Sequence, residues 1–357
     1  MMKLTHGGDI YSYKEKYKEE ALDYSANINP LGMPRGVKQA LINSIDTWVN
    51  YPDPLCRELK KDLAHFEKVK EDYLVLGNGA AECIFNLVRA LNPKKTLLLA
   101  PSFSEYEEAV NSVCGDIEYF LLKEEDDFKI TDKFLESLDE SIDLVFICNP
   151  NNPTGVITKK DYLEKIIKRA HDLNIFVAVD ESFLDFVEDK EDYSVMDLVY
   201  KYSNLVIIKS LTKFYAMPGL RIGFGVTVNK DLLKNIDRVT MSWNVNTLAS
   251  VSAICGLKQD TYNKDSILYV NKEREYLYNS LKDIKELKVF NPSVNFIFFK
   301  IDKDIDLKIE LLKYGILIRS CNNYIGLDDS YYRIAVRTRE ENEKIISALS
   351  KVFDYEK

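Results

Sequence analysis

The chain has 357 residues, more than a single core usually organises, so one large domain with a smaller companion is expected. Hydrophobic residues make up 46% and charged residues 29%, the balance of a globular protein with a sizeable core rather than a disordered one. The formal net charge of −9 argues against nucleic acid or an anionic membrane as the main partner, because both select basic surfaces; any phosphate recognition must be local.

The opening stretch MMKLTHGGDIYSYKEKYKEE has no apolar signal region, and no later run reaches the roughly 18 apolar residues of a membrane helix, which points to the cytoplasm. From Tyr73 onward, short apolar runs alternate with segments of helical period. The strand-like runs are YLVLG, TLLLA, DLVFIC, NIFVAVD, NLVIIKS and RIGFGVTV. Apolar on both faces, they predict the interior of a mostly parallel sheet covered by helices, an α/β fold. Helices are expected between them at about 80–91, 103–113, 131–139 and 159–172, the last with Thr158 as N-cap. Beyond about residue 230 the texture changes. NVNTLASVSAICGL and a charged run at about 262–287 read as two helices, the second solvent-facing. NFIFFKI, GILIRS and YYRIAVR read as strands, and a helix at about 339–352 closes the chain. This tail predicts a smaller α+β domain that shares a wide interface with the first. Cys56, Cys83, Cys114, Cys148, Cys255 and Cys321 include no C-x-x-C pair and read as buried free thiols of a reducing compartment.

In open α/β sheets a ligand sits at the carboxyl ends of the strands, so the polar residues that follow each apolar run matter most. Five stretches qualify: GNGAAE at 77–82, PSFSEY at 101–106, NPNNPTG at 149–155, VDESF at 179–183 and KSLTK at 209–213. Taken singly, NNPTG is also a good turn and Lys213 is ordinary surface charge. Taken in order, they suit an anionic, planar, aromatic aldehyde. Its phosphate would find the backbone N–H groups of Ala80 and Ala81 at a helix start, the Ser210 hydroxyl and the Arg221 guanidinium. Phe103 would lie against its ring, the Asp180 carboxylate would keep its ring nitrogen protonated, and Asn152 would donate to its phenolate oxygen. Lys213 supplies the amine that the aldehyde needs.

This set resembles the pyridoxal-phosphate enzymes of the class I/II aminotransferase family, which have fold type I. That family's run of NPTG, Asp, S-x-x-K and an Arg eight residues past the Lys is met at Asn152, Asp180, Ser210, Lys213 and Arg221. The resemblance implies pyridoxal 5'-phosphate on Lys213, a large cofactor-binding domain at 46–245 and a small domain at 246–357. It further implies an N-terminal segment, 1–45, that packs with the small domain and covers the site. It also implies a homodimer with shared active sites. NYPDP at 50–54 resembles the segment whose tyrosine reaches the cofactor phosphate of the neighbouring subunit, which makes Tyr51 the candidate. One position departs: three residues past the Asp the family often has a tyrosine, whereas Phe183 donates nothing. Such a lost bond to a charged group is worth about 1.5–3 kcal/mol and leaves Asn152 as the main donor.

THGGDI, LDYSANINPLGMP at 22–34, WNVNTLA at 243–249 and ILIRSCNNYIGLDDSYYRIAVR at 316–337 narrow the resemblance. Together they are more similar to the threonine-phosphate decarboxylases of cobalamin biosynthesis than to the sister histidinol-phosphate aminotransferases. A substrate such as O-phospho-L-threonine carries a carboxylate and a phosphate, and a net acidic protein must offer them two cationic sites. By the resemblance Arg333 holds the carboxylate, while Arg319, His6, the Gly7 amide and Asn27 grip the phosphate, with Asn152 beside both substrate and cofactor. The implied reaction releases CO2 and returns a proton to Cα from Lys213, giving 1-amino-2-propanol phosphate. Transamination by the same parts is the alternative.

Overall fold

A computed structural model of the chain describes residues 7–353. After a two-residue strand, β1 (Leu22–Asp23), seven strands build the main sheet. They are β2 (Leu74–Gly77), β3 (Lys95–Ala100), β4 (Asp116–Leu121), β5 (Leu144–Cys148), β6 (Phe176–Asp180), β7 (Leu205–Ser210) and β8 (Gly223–Val226). Their spatial order is β2-β8-β7-β6-β5-β3-β4. The strands from β3 to β7 run parallel, and every residue of β5 and β7 is buried, as their apolar runs predict, with Lys209 and Ser210 at the end of β7 buried too.

Two strands depart from the sequence expectation. RIGFGVTV reads like its neighbours, yet β8 runs antiparallel to both β2 and β7. The residues between β7 and β8 form only a single turn, Leu211–Phe214, and a 3-10 turn, Pro218–Leu220, so there is no crossover helix to bring the chain back parallel. DIEYFL, which forms β4, has no continuous apolar run to announce it, because an edge strand with half-buried and exposed positions needs none.

The helices Ala80–Leu91, Glu105–Asn111, Asp132–Glu136 and Lys160–Asp172 lie where the helical period predicts them. The last buries Leu163, Ile166, Ile167 and Ala170, one stripe at helical spacing. Thr158 is not its cap. Lys159 occupies that position, and the Thr158 backbone is committed to Asn149, donating to Oδ1 at 2.8 Å and accepting from Nδ2 at 3.1 Å.

The C-terminal part holds β9 (Leu287–Val289), β10 (Phe296–Ile301), β11 (Ile316–Leu317), β12 (Arg319–Ser320) and β13 (Tyr331–Ala335). Four of them form an antiparallel sheet in the order β12-β13-β10-β9. GILIRS is thus split: β11 instead pairs in parallel with β1, and β12 pairs with β13. Tyr24, fully buried, completes the stitch by donating its amide to Leu317 O and accepting from the Ala335 amide, both at 2.8 Å. The helix Asp260–Lys282, expected to face solvent, also buries Val270, Leu277 and Leu281. Cys83, Cys148 and Cys321 are buried thiols, but Cys56 and Cys255 are half-buried and Cys114 is exposed in a left-handed turn ahead of β4, which corrects the expectation that all are interior. Among the described residues, no helix is long and apolar enough to cross a membrane.

Candidate active site

A cavity of about 330 Å³ opens at the carboxyl ends of β5, β6 and β7. Ala80, Ala81, Phe103, Asn152, Asp180, Ser210, Lys213 and Arg221 all line it, and so do Gly7, Asn27, Arg319 and Arg333. Two expected members do not join them. Tyr51 is 81% exposed, its ring 4.9 Å from that of Trp243, and it lies outside the cavity of its own chain. His6 lies outside the described residues.

Asp180 ends β6 and is buried. Its Oδ2 accepts the Tyr106 hydroxyl at 2.8 Å and its Oδ1 the Ser182 amide at 2.9 Å. Tyr106 is placed by stacking on Phe146, with ring centroids 4.7 Å apart. Burial and the Asp180 charge push its hydroxyl well above the usual tyrosine range, so it stays protonated and donates. Lys213 lies in the turn after β7, half-buried, its Nζ 3.0 Å from Ser210 Oγ and 5.6 Å from the centre of the Phe183 ring. Burial pulls its amine below the ordinary lysine range; Asp180 opposes the effect and Arg221 adds to it. A lowered amine is the form able to attack a carbonyl.

An anion cradle stands beside this amine. Gly79 has φ +84° immediately before the helix Ala80–Leu91, and a Cβ there would lie 2.3 Å from Arg221 Nη2. A Cβ on Gly223 would lie 2.3 Å from Ala80 N. Both glycines therefore let Arg221 and β8 close upon a helix N-terminus, where amide donors and the helix dipole favour negative charge. Arg221 itself has φ +59°, a left-handed conformation unusual for its type and of the kind found at binding sites.

On the far side of the cavity β12 and β13 set Arg319 and Arg333 directly opposite each other. Arg333 is buried; its Nη1 donates to Asn152 Oδ1 and its Nη2 to Ser25 O at 2.8 Å. Asn152, its carbonyl oxygen engaged, is left with its amide N–H groups to donate. Arg319 Nη1 donates to Ser320 O at 2.7 Å and Nη2 to Asn323 Oδ1 at 2.6 Å, with the guanidinium 5.2 Å from the Tyr324 ring centre. Asn27 Oδ1, Ser182 Oγ and Arg333 Nε are buried without a hydrogen-bond partner, and all three residues line the cavity. Such orphaned groups are costly unless a ligand satisfies them.

The wall also contains residues the sequence reading did not single out. Thr212, whose Oγ1 lies 2.8 Å from Ser210 Oγ, sits inside the quoted SLTK, and Ser182 inside VDESF, so their motifs could have revealed them. Cys148 and Tyr324 also line the cavity and lie within the quoted DLVFIC and 316–337, and Tyr106, which bonds Asp180 without joining the wall, closes PSFSEY, but nothing in those stretches sets these residues apart from their neighbours.

Residues 19–349 match the sequence model of the family "Aminotransferase class I and II". The chain belongs to that family. The cofactor of the family is pyridoxal phosphate, and the side chains fit it: a carboxylate buried with its donors, a low-lying amine, and a helix N-terminus closed by Ser210 and Arg221. The threonine-phosphate decarboxylase of Salmonella typhimurium is 36% identical over 352 residues, covering 98% of this chain and 96% of that one. An adenosylcobalamin biosynthesis bifunctional protein of Leptospira interrogans is 36% identical over 98% of this chain, which spans 41% of its length. Among solved structures, the histidinol-phosphate aminotransferase of Clostridium acetobutylicum superposes with a TM-score of 0.88 at 36% identity, covering 93% of this chain and 99% of that one.

Proposed function

We propose that the chain is a pyridoxal-phosphate-dependent decarboxylase of O-phospho-L-threonine, yielding CO2 and 1-amino-2-propanol phosphate for cobalamin biosynthesis. The observation that carries this reading is the facing pair Arg319 and Arg333, which lines the same cavity as Lys213. Like charges set opposite each other across two strands repel, and a substrate with two anionic groups relieves them. The similarity to the Salmonella enzyme over nearly the whole chain supports this substrate.

When bound, the cofactor supplies an electron sink for the bond that breaks at the substrate Cα. The chain's own residues do the rest. Lys213 would hold the cofactor aldehyde and later deliver a proton to Cα. Asp180, steadied by Tyr106 and Ser182, would keep the ring nitrogen protonated. Arg333 and Asn152 would fix the carboxylate, so that the Cα–carboxylate bond alone is aligned for cleavage; Arg319, Asn27 and the Gly7 amide would hold the phosphate. His6 is proposed to join them. The chain is read as an N-terminal covering segment, 1–45, a cofactor domain, 46–245, and a small domain, 246–357.

The working unit is proposed to be a homodimer in the cytoplasm, each site receiving Tyr51 from the neighbouring subunit. Val49 at 88%, Tyr51 at 81% and Met241 at 75% exposure, with Trp48, Leu55 and Trp243 also exposed and Tyr51 set against Trp243, put large apolar side chains on the surface, which supports contact with a second subunit.

A second reading, an aminotransferase, is favoured by the likeness to the Clostridium structure. The two separate cleanly. The purified protein with pyridoxal phosphate should release CO2 from O-phospho-L-threonine without any keto acid. Amine exchange that depends on a keto acid, with no CO2, would establish the aminotransferase instead. A visible absorption band that persists in Lys213→Ala would remove Lys213 as the cofactor's attachment.

A further inference from the structure

Side chains alternate along a strand, so Lys209 and Ser210 in β7 face opposite sides of the sheet. Ser210 looks into the cavity; Lys209 lies with Ile207 on the side covered by the helix Arg57–Glu67. The Lys209 side chain is 3% exposed, its Nζ 2.7 Å from Glu67 Oε1 and 3.2 Å from Asp185 Oδ1. Asp185 also takes Lys190 Nζ at 2.9 Å. Close by, Glu181, the neighbour of Asp180, accepts the Val195 amide at 2.7 Å and the Ser194 hydroxyl at 2.9 Å. Burial works against the Lys209 charge, and the carboxylates of Asp185, Glu67 and Glu181 outweigh it, holding the ammonium above its ordinary range.

One buried cation thus ties three segments that are distant in sequence: the end of the helix Arg57–Glu67, the turn that follows Asp180, and the strand that leads through Ser210 to Lys213. Buried ion pairs are expensive to desolvate, and an apolar residue of similar volume often stabilises as well or better. Stability alone does not explain a lysine here, whereas directional pairing that fixes geometry does. We propose that Lys209 is a positioning residue for the cofactor site, its pairing with Asp185 and Glu67 setting the spacing between Asp180 and the turn that carries Ser210 and Lys213. This rests on the reading of Asp180 and Lys213 given above.

The test uses the full chain as parent, Lys209→Met, Lys209→Arg, and a triple variant in which Lys209→Met is joined by Glu67→Gln and Asp185→Asn. Each is titrated with pyridoxal phosphate to obtain its Kd and the circular dichroism of the cofactor's visible band, and is then assayed for kcat and KM. A displaced site should lower kcat roughly tenfold to a hundredfold in Lys209→Met, with KM little changed, a weaker Kd and an altered dichroic band. Lys209→Arg should keep most of the parental values. The triple variant removes the cation together with the two carboxylates it bonds, leaving the buried Glu181, free to take up a proton, and the part-exposed Lys190, so it should regain thermal stability but not kcat or the dichroic band. Parental Kd, kcat and dichroism in Lys209→Met, or in the triple variant if Lys209→Met does not fold, would show the cluster to be a stabiliser only and overturn the proposal. A parent that forms no visible band with pyridoxal phosphate would overturn the reading of Lys213 itself, a failure seen before any variant is made.

Discussion

Arg319 and Arg333 face each other in register, but their surroundings differ, and the proposed roles follow that difference. Arg333 is buried and tied to Asn152 and Ser25, so it suits the carboxylate that must be oriented for cleavage. Arg319, beside Tyr324 and Asn323, suits the phosphate. Arg319→Ala should weaken O-phospho-L-threonine by about 2–4 kcal/mol, or roughly 30-fold to 1,000-fold, while barely affecting L-threonine. Arg333→Ala should hurt both amino acids alike and lower turnover as well. Equal sensitivity of the two ligands to Arg319→Ala, read from competition binding, would place the phosphate elsewhere. Tyr106 makes a further case at this scale. Tyr106→Phe keeps the stack on Phe146 but removes one donor from Asp180. A bond to a charged group contributes about 1.5–3 kcal/mol, so kcat should fall by at least roughly tenfold with the fold intact by circular dichroism. Parental turnover in this variant would show that Ser182 suffices to hold the carboxylate.

At the scale of elements, the closing helix Arg339–Val352 carries a capping box, with the Thr338 side chain accepting from the Glu341 amide and the Glu341 side chain from the Thr338 amide at 3.2 Å. Thr338→Ala should cost about 0.5–2 kcal/mol, measured as a lower urea midpoint with unchanged kinetics. The turn from Glu181 to Val195 predicts a pH effect. Burial raises the Glu181 carboxyl from its ordinary 4.5 to about 7, against the pull of Lys209. The folded chain therefore binds a proton that the unfolded chain has already released between those values. Its contribution to stability is complete below about pH 4.5 and is lost as pH rises through about 7. Urea midpoints should show this decline in the parent, and Glu181→Gln should flatten it. The same slope in both proteins would assign it to other groups.

For the whole molecule, the question is whether one chain suffices. Tyr51 lies outside the cavity of its own chain, on an apolar exposed surface with Trp243. If it serves a neighbour, mixing Tyr51→Phe with Lys213→Ala subunits should yield hybrid dimers more active than either parent, because one site in each hybrid is intact. A mixture as inactive as its parents after verified subunit exchange would show that the sites are not shared through Tyr51.

Local pattern alone determined the helices with a strong apolar stripe, the buried strands, and the residues that end them. Asp180, Ser210 and Lys213 were legible because each follows a run of Val and Ile that only a sheet interior accepts. The antiparallel turn of β8, the edge strand β4 and the two-sheet division of GILIRS were not, since strand direction and neighbours do not alter the apolar period. The partners within the site and behind it, across the sheet, were beyond the reach of sequence for the same reason. Tyr106 and Asp180 are 74 residues apart, Glu67 and Lys209 142, and Asn152 and Arg333 181. Residue type and spacing announce a chemical group, but which groups touch depends on the order in which strands assemble, and only the tertiary structure decides that.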